Sequence, residues 1–318
     1  MSQTINESLK SLGIPLLLVM LISACGGGGS SDNSNSGGEG SASGASDGTD
    51  MNTGSNDSGP DDTGAGTGSG SSNNNQNFGQ PSNSQIRPGV IVEAMGSQCT
   101  SNFIYSDSQG NFYIGAAAHC FSPDSNSGVD PCLARNEAIG IDVVIENADF
   151  VGSLAYSSWQ TMRDKGETPG TEICQGNDFA LIKIDARDIG NIHPAARVFG
   201  GPTALFEGNA SIGDEVYTYG QSPLSLQQAK TGNIDGISDE NWLYSVSLSS
   251  PGVPGDSGSA VLHESGKALG VLSTLDACIG ICPLTSNSVV NLDMALTYAN
   301  TNVFGANLNL VTWSNFSP

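Results

Sequence analysis

From residue 86 onward the chain alternates short apolar runs with polar, glycine-rich breaks. "GVIVEA", "NFIYSD", "NFYIGAAA", "IDVVIE", "DFALIKID", "EVYTYG", "WLYSVSL", "SAVLHE" and "ALGVLST" each have the length and the β-branched or aromatic content of a strand. Helical periodicity is confined to "LDMALTYANTN", residues 292–302, where Leu292, Ala295, Leu296 and Ala299 share one face. Many short strands at close spacing, followed by one helix, predict an all-β barrel or sandwich architecture.

The pattern is different before residue 86. Residues 14–24, "IPLLLVMLISA", are a continuous apolar run of 11, well short of the roughly 20 residues that span a bilayer but suited to the apolar core of a signal peptide. The run ends on small residues at "LISAC" and turns abruptly polar. This junction resembles the lipobox of bacterial lipoproteins, which implies a signal peptide over residues 1–24 and a lipid on Cys25. More than one acyl chain there would give stable membrane anchoring, and Gly26 after the cysteine is compatible with an outer-membrane destination. The expected localisation is therefore the cell envelope of a bacterium, at the outer membrane or cell surface. Residues 26–85 are mostly Gly, Ser, Asn, Asp and Thr, with seven acidic residues and no Lys or Arg. Such a segment cannot offset its chain entropy by burial, so residues 25–85 are expected to be a disordered tether, spanning about 40–45 Å as a random coil. The folded domain is expected over residues 86–318, in halves of about 86–198 and 199–318.

Charge narrows the partners. The chain carries −22 at pH 7, so a basic stripe for nucleic acid is absent and anionic surfaces would repel it. Besides Cys25 there are six cysteines, Cys99, Cys120, Cys132, Cys174, Cys278 and Cys282. In an exported domain an even set reads as disulfides, with 15 possible connectivities. A metal site is disfavoured because only Cys278 and Cys282 are close, with no second pair nearby, and no cofactor is expected.

Acyl transfer by a serine needs an imidazole to take its proton, a carboxylate to orient the imidazole, and backbone N–H groups to hold the oxyanion. The chain has three histidines. "AAHC" around His119, "NDFALIKI" around Asp178 and "GDSGSA" around Ser257 occur in that order. The ordered set resembles the chymotrypsin-like (trypsin-family) serine proteases, over about 230 residues; other serine hydrolases place the same groups in other orders. The resemblance implies a chymotrypsin-like fold: all-β, two six-stranded antiparallel Greek-key barrels with a C-terminal helix. It implies a serine endopeptidase acting on protein or peptide substrates, with His119 as base then acid, Asp178 orienting it and Ser257 as nucleophile. The amides of Gly255 and Ser257 would form the oxyanion hole. It also implies a Cys99–Cys120 disulfide beneath the histidine, leaving Cys132–Cys174 and Cys278–Cys282 as the remaining pairs.

The family pattern stops applying just ahead of the nucleophile. Val253 stands where a family cysteine would be, and Pro251 where trypsins carry the aspartate that binds Arg or Lys. Ser273, Thr274 and Leu275 are expected along the substrate backbone, with Pro251 and Ser288 at the pocket, favouring a small or apolar side chain over a basic one. Arg87 precedes Pro88, which disfavours activation by trypsin-like cleavage and leaves two alternatives: Asp256 finds an internal partner, or the protein is inactive until some other event. His193 and His263 read as surface or packing residues. The competing reading is a binding or scaffold module on the same fold, with the three motifs present but no working oxyanion hole.

Overall fold

The computed structural model of the chain describes residues 78–125, 127–225, 228–273 and 286–318. The expected signal peptide, Cys25, nearly all of the expected tether, and Thr274, Leu275, Cys278 and Cys282 lie outside the described residues. The described strands are β1 (Ile91–Ala94), β2 (Ser97–Thr100), β3 (Ile104–Ser106), β4 (Phe112–Ala116), β5 (Asp142–Ile145), β6 (Gly152–Ser157), β7 (Ala180–Lys183), β8 (Glu215–Tyr219), β9 (Ala229–Ile237), β10 (Leu243–Leu248), β11 (Ala260–His263), β12 (Ala268–Leu272), β13 (Ser286–Asn291) and β14 (Asn309–Leu310). Three α-helices accompany them: α1 (Ser158–Lys165), α2 (Glu172–Gly176) and α3 (Leu292–Ala299).

All nine apolar runs contain a strand. They assemble into two antiparallel sheets, the all-β chymotrypsin-like class expected from the motifs. The second sheet is a closed barrel of six strands in the order β10-β13-β12-β11-β8-β9. Its interior is filled by Val216, Ile234, Tyr244, Val246, Val261, Leu269 and Val289.

The first sheet has eight strands, β14-β3-β4-β7-β6-β5-β1-β2, rather than a closed six. Two local causes account for the difference. The C-terminal tail returns as β14 to pair with β3. Beyond β2 the chain leaves the ladder: Asn102 N–H donates to Gly115 O, while Thr100 N–H reaches the second lobe at Ser257 O, 2.9 Å away. Val92, Ile104, Ile114, Leu154 and Ile182 fill this lobe's core. A third apolar layer, including Tyr105, Phe179, Tyr217 and Trp242, lies between the sheets and α3.

Helix α3 buries the expected face, Leu292, Ala295, Leu296 and Ala299, and begins at Asn291, whose Oδ1 accepts from the Asp293 and Met294 amides. Helix α1 has no counterpart among the predicted elements. Ser157 caps its start, Gly166 ends it in the left-handed conformation, and Trp159 and Met162 are its buried large side chains. Two apolar inward positions in eight residues give too little periodicity to be seen in the sequence.

Candidate active site

His119 follows β4 in a short 3-10 turn, Ala118–Phe121. Ala116, Ala117 and Ala118 before it are fully buried, and the turn carrying Ser257 packs directly on Ala116 and Ala117. A Cβ on Gly258 would lie 2.4 Å from Thr100 O and 3.0 Å from Ala117 N, and its φ of +90° is itself unsuited to a side chain. Glycine there lets the two lobes meet. The Cys99–Cys120 disulfide ties β2 to the histidine turn, and Cys132–Cys174 ties the following loop to α2.

Asp178 lies just after α2, at the mouth of β7, and its carboxylate takes three donors. His119 Nδ1 donates to Oδ2 at 2.6 Å and the His119 amide to Oδ1 at 2.9 Å, while the Ser273 hydroxyl donates to Oδ2 at 2.5 Å. Burial alone would push the Asp178 carboxyl up, but the His119 charge and these hydrogen bonds hold it below the usual carboxylate range. Burial pulls the His119 imidazole down, and the adjacent carboxylate more than reverses this, raising it above its ordinary value. With Nδ1–H committed to an acceptor-only carboxylate, a neutral His119 carries its free lone pair on Nε2.

His119, Asp178 and Ser257 line one cleft of about 740 Å³ between the lobes. Ser257 Oγ makes no hydrogen bond among the described residues, to His119 or to any other group; such contacts commonly tighten only around bound substrate. The Gly255 and Ser257 amides likewise meet no acceptor among the described residues, whereas Asp256, Gly258 and Ser259 all donate to backbone carbonyls. Among the described residues, the two amides named for the oxyanion hole are thus left without a protein acceptor.

The neighbouring acid is held differently. Asp256 forms an ion pair with Lys230 of β9, and both side chains are 1% exposed. Its carboxylate also accepts from the Ser222 and Val253 amides, and Lys230 donates further to Pro251 O. Sequence reasoning left Asp256 seeking an internal partner and did not find Lys230. Arg87 is not at an accessible cleavage site: it is 6% exposed and donates to the Ala195 and Ala196 carbonyls.

The expected substrate-binding residues are only partly brought together. Ser273 lines the cleft, but its hydroxyl is spent on Asp178 and its amide on Ser288 O. Pro251 does not line the cleft, whereas Gly252, Val253 and Pro254 do. Asn287, not Ser288, reaches the cleft, since successive side chains on β13 face opposite sides. The Asn287 amide oxygen accepts from Gly252 N–H at 2.9 Å. The signal that could have found it was its position beside Ser288 on a strand whose register was unknown.

Among the described residues two clusters have candidate metal ligands: Cys99, His119 and Cys120, and Asp130, Cys132 and Cys174. In each, both cysteines are disulfide-bonded and offer no thiolate.

The family model described as a trypsin-like peptidase domain matches residues 99–271. The chain belongs to the trypsin-like peptidase family. The match runs from the disulfide cysteine of β2 through all three motifs into β12. Among solved structures, this peptidase domain is similar to Thermobifida fusca Protease A, with 18% identity, TM-score 0.45, and 72% of this chain and 99% of that one covered. It is also similar to Nocardiopsis Protease, with 20% identity, TM-score 0.42 and coverage of 71% and 98%. For the serine endoprotease from Yersinia pestis the values are 16%, 0.43, 72% and 70%. No curated protein sequence matches the chain.

Proposed function

We propose that the protein is a serine endopeptidase that hydrolyses peptide bonds through an acyl-enzyme on Ser257. The observation that carries this is the coincidence, in one interlobe cleft, of a buried His119–Asp178 pair, the Ser257 side chain and two undirected amides at Gly255 and Ser257. His119 Nε2 takes the Ser257 proton as Oγ attacks the scissile carbonyl; Asp178 stabilises the imidazolium, and the two amides receive the oxyanion. His119 then returns the proton to the leaving amine, and water repeats the sequence to release the acyl group.

The acids along the cleft are already engaged: Asp178 with His119, Asp256 with Lys230, and Asp130 with the Gly170 and Cys132 amides and the Gln175 side chain. Among the described residues no cleft carboxylate is without a hydrogen-bonding partner, which favours a side chain other than a basic one. The proposed substrate is accordingly a protein or peptide cleaved after a small or apolar residue, near Gly252, Leu272 and Asn287. Hydrolysis of fluorescent casein by wild type, lost in Ser257→Ala, is the expected result; equal rates in both would exclude Ser257 as nucleophile. A non-catalytic binding module is the second reading, favoured by the absence of a Ser257–His119 hydrogen bond, and it predicts no hydrolysis by either.

The tethered topology is proposed with it: signal peptide 1–24, a lipid on Cys25, a linker to residue 85 and the peptidase domain over 86–318, displayed at the outer membrane or surface of a bacterial cell. Among the described residues no helix is long and apolar enough to cross a membrane, so the anchor rests on the sequence around Cys25. Cys25→Ala is expected to release the protein from the membrane fraction, and retention of that variant would contradict lipidation.

A further inference from the structure

The two proposed oxyanion amides are not aimed by their own residues. A trans peptide unit is planar, with its C=O and N–H pointing in opposite directions. The Gly255 N–H therefore points wherever the Pro254 C=O does not, and the Ser257 N–H wherever the Asp256 C=O does not. Each of those carbonyls is held from behind by a buried serine hydroxyl. Ser222 Oγ donates to Pro254 O at 2.6 Å, and Ser259 Oγ donates to Asp256 O at 2.5 Å. The two serines are 3% and 0% exposed.

Ser222 is fixed for this on every side. Its hydroxyl oxygen accepts from Leu224 N–H at 3.0 Å, which directs the hydroxyl hydrogen toward Pro254. Its own amide donates to Asp256 Oδ1 at 3.0 Å, joining it to the buried ion pair. It lies directly against Gly255: a Cβ built on that glycine, whose φ is +102°, would be 3.1–3.3 Å from Ser222 atoms. The intervening carbonyl, Gly255 O, is taken by the Thr100 hydroxyl at 2.7 Å. The whole run from Pro254 to Ser257 is thereby held in one of two conceivable orientations.

We propose that Ser222 and Ser259 are positioning residues that set the oxyanion hole, by holding the Pro254 and Asp256 carbonyls away from the cleft so that the Gly255 and Ser257 amides face it. The inference rests on the endopeptidase reading and extends it to groups that never touch substrate. The two serines are not equivalent. Asp256 O has a second donor, the Ser259 amide at 3.1 Å, which survives loss of the hydroxyl. Among the described residues Pro254 O has only Ser222. Without it the Pro254–Gly255 unit is free to turn its carbonyl into the hole, where it repels the oxyanion.

The test compares Ser222→Ala and Ser259→Ala with wild type on fluorescent casein and in the second-order rate of fluorophosphonate labelling, with thermal melting to establish folding. Outright loss of an oxyanion donor commonly costs 100- to 1,000-fold, so a donor misaligned part of the time is expected to cost roughly 10- to 100-fold. Ser222→Ala should lose that much in kcat and in labelling rate with KM nearly unchanged, and Ser259→Ala distinctly less. A packing role would move KM and melting temperature together instead. If Ser222→Ala does not fold, the isosteric pair Ser222→Thr and Ser222→Val reads the same hydroxyl, with Thr expected to be at least about tenfold faster. Labelling and kcat in Ser222→Ala within about twofold of wild type, or Thr and Val alike, overturn the proposal. Failure of wild type itself to turn over or label overturns the endopeptidase reading instead.

Discussion

Asp178 and Asp256 both line the cleft that holds Ser257, and both are buried, at 4% and 1% exposure; their partners differ in kind. Asp178 faces an imidazole that is itself 10% exposed at the cleft, while Asp256 faces an ammonium sealed from solvent at 1%. The first pair can exchange a proton with a reacting group and keep its geometry. The second can do nothing but hold, and what it holds is the loop carrying Ser257. The motif around Asp178 thus orients an imidazole at the cleft, and the motif around Asp256 fixes a backbone beside it.

The comparison breaks most visibly through Asp178. Asp178→Asn replaces the acceptor-only carboxylate that selects the His119 tautomer with an uncharged amide that can also donate, and kcat should fall by roughly 10,000-fold with the fold intact; steady-state kinetics check this. Lys230→Met acts on stability instead. It leaves a buried carboxylate with two amide donors and no counter-charge, expected to cost about 3–5 kcal/mol in urea unfolding. If Lys230→Met unfolds like wild type, Asp256 is not held by that pair. Removing the Cys132–Cys174 disulfide by double serine substitution should cost less, about 2–4 kcal/mol, since it constrains a loop beside the cleft rather than the nucleophile turn.

The pH profile separates the two pairs with the smallest perturbation. The His119 imidazole is raised above its ordinary 6.5, so it is protonated, and useless as a base, below a pH higher than that. Activity should therefore decline on acidification with a single-proton limb centred above 6.5, measured as kcat/KM against pH. Asp178, held low, stays charged across this range and contributes no limb of its own there. A limb centred near the Asp178 carboxylate range would mean that His119 is not the base.

Much of this was legible in the sequence because the signals were local. Nine apolar runs became strands since each buries side chains of one face or both. Strand β9 was not seen: its buried positions are Lys230, Ile234 and little else, so the residue that holds Asp256 also erased the apolar alternation that marks a strand. Strand β2, "SQCT", is polar and draws support from its disulfide and from pairing with β1. The ordered motifs brought His119, Asp178 and Ser257 to one cleft, yet Ser222, Lys230 and Asn287 carry no local signature. They act through partners 26 to 35 positions away, which only the barrel's closure brings together.

The central claim is that Ser257 is a nucleophile activated by His119. Mass spectrometry of the purified protein after fluorophosphonate treatment tests it most directly. A single adduct on the peptide containing Ser257, absent in Ser257→Ala and strongly slowed in His119→Ala, is the predicted result. A folded wild-type protein that takes up no adduct, or takes it at another residue, would contradict it.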